Sequence, residues 1–346
     1  MKKKSTQRKK NGTQAKEKEN TKEKKKQASI QQDVDSQMTA TTAALPVQPQ
    51  PGTPAQPAAK CASNARQEVE KWAKRTLDKG VNGLREEFLE LKKYIPPDMT
   101  VQAFQAHWEA GRNRYKDVPC QDKFRVVLKW PGQSYDYIHA NYVIQEDSDN
   151  VIMLCNVKEK GMDKCAQYWP LDAKESKVYG DVEVENVATR QLTPDEQTVR
   201  LCILAVRWKE GNKTKEREVR HYQWIDWPDR GVPPCRLTAM VLLSHVRGTK
   251  KPIIVHCSAG IGRTGTIVAL EYILERLQSG LPCEAMDEIL KELRNQRPYS
   301  IQTDLQYLYV HRVMLFYFFE KYKVGQGSEE LQQKYKAFVT EYEKYT

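Results

Sequence analysis

Fourteen consecutive residues constrain this chain more than any others: Pro252-Ile253-Ile254-Val255-His256-Cys257-Ser258-Ala259-Gly260-Ile261-Gly262-Arg263-Thr264-Gly265. A short apolar strand runs into a cysteine, a five-residue loop of small side chains and an arginine. Five residues suffice for a tight turn whose backbone N–H groups converge on one tetrahedral anion, a nest of the kind that binds phosphate. Helical periodicity resumes at once, with Ile267, Leu270, Leu274 and Leu277 on one face. A helix N-terminus therefore adds its unpaired donors and the positive end of its dipole to the same spot. Strand, loop and helix are expected here, wrapped around an anion.

The same field acts on the sulfur. Helix N-termini and cationic neighbours favour the nucleophilic thiolate of a cysteine at neutral pH, and Arg263 supplies the cation. Its planar fork matches two phosphoryl oxygens at once, which a lysine ammonium does not. Thr264 brings a hydroxyl near the sulfur, and His256 is expected to orient the loop rather than catalyse. Cys257, Arg263 and Thr264 are thus candidate catalytic residues; Ser258, Ala259, Gly260, Ile261 and Gly262 join Arg263 as candidate phosphate ligands. A plain buried thiol is the bland alternative, yet a nest, a dipole and a guanidinium do not usually gather around one. A sharper alternative is a dinucleotide-binding turn, because Gly260, Gly262 and Gly265 fit its glycine spacing and Glu284 stands near the distance for a ribose ligand. That acid should end a second strand, whereas residues 283–293 read as a helix with Met286, Ile289, Leu290 and Leu293 on one face.

The order His-Cys, five residues, Arg, Thr resembles the signature of the cysteine-dependent protein tyrosine phosphatases, in their classical, phosphotyrosine-specific branch. The resemblance runs from about Trp72 to the end, with motifs in the family's order. Asn113-Arg114-Tyr115-Lys116-Asp117 is similar to the substrate-recognition loop, which implies that the Tyr115 ring stacks on phosphotyrosine while Lys116 and Asp117 hold the peptide. Asp136-Tyr137-Ile138-His139-Ala140-Asn141-Tyr142 is similar to a strand near the site. Glu159-Lys160-Gly161, Lys164-Cys165 and Gln167-Tyr168-Trp169-Pro170 resemble the segment that braces the arginine and the mobile acid loop. Trp227-Pro228-Asp229-Arg230-Gly231-Val232-Pro233 resembles that loop itself, which implies Asp229 as the general acid. Taken alone it is a Pro- and Gly-punctuated turn with one carboxylate, yet a leaving phenolate needs a proton and such a turn suits a hinge. The run from Arg294 to Tyr307 resembles the family's glutamine loop, with Gln302 placing the attacking water; Gln306 either assists or merely starts the next helix.

The resemblance implies an α/β fold, a twisted mixed sheet flanked by helices, and a two-step hydrolysis. The Cys257 thiolate attacks phosphorus while Arg263 and the loop amides hold the oxygens and Asp229 protonates the tyrosyl oxygen; water aligned by Gln302 then cleaves the phosphocysteine. The scheme requires no metal and no cofactor. A deep pocket walled by Tyr115 admits phosphotyrosine and keeps shorter phosphoserine from the sulfur, so the expected partners are phosphotyrosine-containing proteins.

At 346 residues and 39% hydrophobic content the chain can bury a large core. One catalytic domain is expected over residues 63–346. Residues 1–62 differ in kind, first Lys-rich, then rich in Pro, Ala, Gln and Thr, with no apolar periodicity; a disordered tail is expected. Residues 1–60 carry 13 basic and 5 acidic side chains, +8 of the +11 net charge, so the catalytic part is only mildly basic. The tail suits anionic lipid, nucleic acid or an import receptor, or no partner at all. No stretch is long and apolar enough to span a membrane, and the eight scattered cysteines without an apolar leader point to a reducing compartment, cytoplasmic or nuclear.

Strands are expected over residues 124–128, 135–144, 151–157, 179–187, 198–208, 219–225 and 253–256, with a hairpin turn at Gly211-Asn212. Two amphipathic helices precede them, one ending at Gly80 and one stopped by Pro96-Pro97, and helices dominate after Thr264. One departure from the family pattern stands out. Between Asn141-Tyr142-Val143 and Val151-Ile152-Met153-Leu154 the family has another strand, a turn and a tryptophan-bearing helix, whereas this chain has only Ile144 to Asn150, including the acidic run Glu146-Asp147-Ser148-Asp149-Asn150. Neighbours of a missing strand must pair anew or leave backbone groups and apolar surface exposed. Impaired folding, or a pseudophosphatase that binds phosphotyrosine without hydrolysing it, is therefore an alternative outcome.

Overall fold

The structure, a computed structural model, describes residues 58–129, 135–141, 148–283 and 285–346, with side chains from residue 64 onward. The tail through residue 57 and its three expected partners, most of the shortened segment (142–147) and Glu284 lie outside the described residues.

The described chain begins with α1 (Ala58–Leu91), one helical run broken at Gly80, whose φ of 63° and ψ of 179° are not helical. Its two limbs are the two amphipathic helices expected, with Val69, Trp72, Leu77, Leu84, Phe88 and Leu91 buried. Next come α2 (Gln102–Ala106) and an antiparallel pair, β1 (Arg125–Val127) and β2 (Tyr137–Asn141). Then follow β3 (Asn150–Met153), the small hairpin of β4 (Lys158–Glu159) and β5 (Met162–Asp163), and the strands β6 (Ser176–Tyr179), β7 (Val182–Gln191), β8 (Val199–Glu210) and β9 (Lys213–Trp224). The remainder is α3 (Thr238–Val246), β10 (Ile253–His256), α4 (Gly262–Gln278), α5 (Met286–Gln296), α6 (Asp304–Lys321) and α7 (Glu329–Tyr342).

The main sheet is mixed, in the order β10-β3-β9-β8-β7-β6. β10, β3 and β9 run parallel, while β9 to β6 form an antiparallel meander. One hydrophobic cluster joins Val69 of α1 to Tyr342 of α7 through the sheet. Within it α6 is buried nearly all round, from Gln306 to Phe319.

Three strand boundaries differ from expectation for physical reasons. Residues 179–187 divide into β6 and β7 around Gly180, at φ 63°. β9 starts at Lys213, because the Gly211-Asn212 hairpin pairs a solvent-facing charged stretch that shows no apolar alternation. β3 stops at Met153, because the Leu154 carbonyl turns to accept a hydrogen bond from Arg263. Cys257 is left where a strand ends and a helix begins, at the carboxyl ends of the sheet's three parallel strands.

The dinucleotide alternative fails on topology. After α4 the described chain makes α5, α6 and α7 and never returns to the sheet, so the second strand of a βαβ unit is missing among the described residues. Among the described residues, β10 occupies the edge of the six-stranded sheet, β2 pairs only with β1, and Ile254 and Ile138 are 51% and 44% exposed.

Candidate active site

Residues 257–262 close a turn between β10 and α4 in which the Gly260 N–H points at the Cys257 Sγ, 3.2 Å away. Gly260 holds φ at 71°, a left-handed conformation that costs a side-chain-bearing residue dearly. From behind, Arg297 donates to the carbonyls of Ala259 (3.0 Å) and Gly260 (3.3 Å), which leaves the loop's N–H groups free to face the cradle. Ser258 is tied from the front: its Oγ donates to the Lys164 carbonyl (2.9 Å), so the Tyr115 hydroxyl donates to it (2.8 Å), and Arg114 bonds both the Ser258 and Lys164 carbonyls.

Arg263, in the first turn of α4, is 2% exposed. Glu159 grips both of its terminal nitrogens, at 2.6 and 2.7 Å, while Nη1 also donates to the carbonyls of Leu154 (2.9 Å) and Trp227 (3.1 Å). Burial opposes its charge, but the hydrogen bond to Glu159 and the proximity of Cys257 win and raise its pKa further. The fork expected to be open for phosphate is therefore partly engaged. On its Nε–Nη2 edge, Nη2 adds to its Glu159 bond a contact to Asp229, at 3.1 Å, and Nε has no partner among the described residues.

Asp229 also pairs with Lys164, at 2.8 Å. Burial pushes its carboxyl up, yet Lys164 and Arg263 together hold it below the ordinary aspartate value. The acid loop is thus docked over the cradle. Its fixed point is Trp227, buried against Trp224 and Tyr309, with its indole N–H bonded to the Gly231 carbonyl.

The glutamine loop reaches the cradle through backbone strain. Tyr299 (φ 64°) and Ile301 (φ 60°) adopt left-handed conformations, held by buried Arg294 bonding the carbonyls of Ser300 and Ile301 and by the Ile301 N–H donating to Ile261. Gln302 and Gln306 are carried against Gly262, where a Cβ would sit 3.2 Å from Gln302 Oε1 and 3.0 Å from the Gln306 amide. Gln306 is fully buried, accepts from the Gln302 N–H (3.0 Å), and keeps Nε2 without a partner among the described residues.

Other expected residues sit less centrally. Thr264 Oγ1 is buried and makes no hydrogen bond to the sulfur or to any described residue. The Lys116 ammonium lies over the Trp108 ring, 5.1 Å from its centre, and Asp117 is exposed. His256 contacts the Cys257 carbonyl through Nδ1, and its Nε2 meets the Tyr168 hydroxyl, which also contacts His221 Nε2, both at 2.7 Å. No sequence pattern pointed to Arg297 or to the part played by Arg114. Both lie within motif runs already singled out, but a basic residue in a loop carries no signal of what it will touch.

Comparison with known proteins agrees with this architecture. The chain matches the protein-tyrosine phosphatase family over residues 109–149 and 142–316. It belongs to that family. The boundary between the two matched stretches falls on the shortened segment. Among relatives in this phosphatase family, the chain is 34% identical over 239 residues to the tyrosine-protein phosphatase Lar-like of Caenorhabditis elegans, covering 59% of this chain and 10% of that protein. It is 29% identical over 299 residues to human tyrosine-protein phosphatase non-receptor type 9, covering 72% and 48%. The chain thus spans half or less of either relative. A solved structure of PTPN18 in complex with HER2 phosphopeptides superposes with a TM-score of 0.58 at 26% identity, covering 74% of this chain and 99% of that one. The catalytic domain of human protein tyrosine phosphatase non-receptor type 18 gives 0.60 at 23% identity over the same shares. Among the described residues, no helix is long and apolar enough to cross a membrane.

Proposed function

We propose that this chain is a protein tyrosine phosphatase that hydrolyses phosphotyrosine in proteins through a phosphocysteine intermediate. The observation that carries the proposal is the convergence on one turn of a sulfur facing a loop amide, a guanidinium braced by Glu159 and a docked carboxylate. The substrate class is supported by family membership and by the phosphopeptides bound in the PTPN18 complex.

In this mechanism the phosphoryl group enters the cradle and takes the Nε–Nη2 edge of Arg263, releasing Asp229. The Cys257 thiolate forms the P–S bond as the P–O bond breaks, and Asp229 gives its proton to the tyrosyl oxygen. Water held by Gln302 attacks the phosphocysteine while Asp229 takes back a proton. Inorganic phosphate leaves, and the Thr264 hydroxyl, unpartnered at rest, stabilises the departing sulfur. Tyr115, fixed through Ser258, walls the pocket and sets the depth that favours phosphotyrosine; Lys116 and Asp117 hold the peptide at the rim, and Gln306 fixes the Gln302 backbone.

Steady-state hydrolysis of a phosphotyrosyl peptide tests the assignment. Asp229→Ala should lower kcat about 10²–10⁴-fold while substrate affinity is kept, and Cys257→Ser should abolish phosphate release. Undiminished release by Cys257→Ser overturns the mechanism. A pseudophosphatase would show no turnover in any form; the presence of Cys257, Arg263, Asp229 and Gln302 around one cradle favours the enzyme.

A further inference from the structure

Among the described residues, β2 belongs to the two-stranded sheet and not to the six-stranded one that carries the cradle. Its hold on the cradle runs through two side chains on one face of the strand, His139 and Asn141. Both meet Arg297, whose Nη1 donates to Asn141 Oδ1 (2.7 Å) and whose Nη2 lies 3.0 Å from His139 Nε2. The same guanidinium holds the Ala259 and Gly260 carbonyls. On its other side, His139 Nδ1 lies 2.9 Å from the Oδ1 of Asn113, two residues ahead of Tyr115. We propose that His139 is a positioning residue whose imidazole, in the neutral Nδ1–H form, ties the Tyr115 loop to the phosphate cradle, its effect on turnover resting on the phosphatase reading above.

Each hydrogen-bond role along this chain of contacts is forced. The Phe104 carbonyl can only accept, so the Asn113 group 2.8 Å from it is Nδ2, and Oδ1 is left to accept. One lone pair of that Oδ1 takes the Tyr137 hydroxyl (2.6 Å), and the other takes the His139 Nδ1–H. A guanidinium can only donate, so His139 Nε2 carries no proton and accepts from Arg297. One tautomer satisfies both ends. The cationic ring does not, because a proton on Nε2 sets two donors and two positive charges face to face. Burial and then the Arg297 charge lower the His139 pKa to about 4, so the neutral ring is the form present at pH 7. The ring also meets Phe104 edge-on, 5.7 Å between centres, and no carboxylate contacts it among the described residues.

Removing the imidazole acts at both ends. Nη2 of Arg297 keeps the Ala259 carbonyl but loses the acceptor that fixes it from outside, and the cradle whose Gly260 N–H faces Cys257 rests on that fork. Asn113 loses one of the two donors that fix the loop presenting Tyr115. A glutamine separates the two ends. Its side chain extends as far as Nε2 and offers Arg297 an amide oxygen, yet it places no donor where Nδ1 faces Asn113.

The test begins with the imidazole nitrogen shifts of the purified full chain at pH 7, read by NMR with His139→Gln identifying the signal; they should report the Nδ1–H tautomer. Inorganic phosphate, titrated on the same samples, should bind about tenfold more weakly to His139→Ala, and His139→Gln should recover that affinity. On a phosphotyrosyl peptide, His139→Gln should raise KM about 2–10-fold with kcat close to that of the wild type, whereas His139→Ala lowers kcat as well. An Nε2–H tautomer or a cationic ring at pH 7 overturns the proposal. So does an equal loss of phosphate affinity in both variants alongside an equal fall in Tm, which is what a merely structural role produces, and so does an unchanged KM in His139→Gln. Should His139→Ala fail to fold, the tautomer and the behaviour of His139→Gln still decide. A wild-type chain that binds phosphate without turnover counts against the phosphatase reading instead, and the tautomer and phosphate affinities still test His139.

Discussion

Asp229 is held ionised by two cations, Lys164 and Arg263, in the ligand-free site. In the proposed mechanism Asp229 must nevertheless deliver a proton, so its pKa has to rise when the phosphoryl dianion takes over Arg263. The pH dependence of kcat/KM reports groups of the free enzyme, and under the proposed mechanism its alkaline limb tracks loss of the Asp229 proton. Removing Lys164 removes a force that lowers that pKa. Lys164→Ala should therefore move the alkaline limb to higher pH, read from kcat/KM profiles on a phosphotyrosyl peptide. An unmoved limb would show that Lys164 does not set the acid. Sequence motifs named both residues, but their pairing joins positions 65 apart and became visible only in three dimensions.

At the scale of elements, the start of α4 and the glutamine loop are packed so closely that one methyl group tests their contact. A Cβ on Gly265 would lie 2.6 Å from the Ile301 backbone nitrogen, where no side chain can yield. Gly265→Ala should cost about 1–3 kcal/mol of stability, as overpacking does, and lower kcat by displacing Gln302; an unchanged Tm and kcat would refute this contact. The open edge of β10 makes a second prediction. A half-exposed isoleucine on a strand whose outer edge has no partner among the described residues invites pairing between chains. Ile254→Lys should reduce light scattering on heating while changing stability by no more than about 0.5 kcal/mol. Equal scattering by both proteins would place the association elsewhere.

Taken whole, the molecule buries histidines that stay neutral. Burial lowers His221 to about 3 and His311 to about 4, whereas both titrate near about 6.5 once unfolded. The unfolded chain thus binds protons that the folded chain refuses. Stability is complete above pH about 6.5 and falls as pH drops toward 4, by up to about 1.4 kcal/mol per pH unit for each histidine. Urea unfolding at pH 7.5, 6 and 5 measures this, and a midpoint independent of pH would contradict it. The sequence by itself determined the strand, cradle and helix around Cys257 and the periodic helices, because backbone donors and apolar spacing are properties of contiguous residues. It also located Asp229 and Gln302 through their motif runs. Tertiary structure alone decided that Glu159 grips Arg263 across 104 positions, that Arg297 turns the cradle's carbonyls outward, and that β10 lies at the edge of the sheet among the described residues. Those outcomes depend on which distant segments the buried core brings together, and that is settled by the packing of the whole chain, which no local pattern of residues encodes.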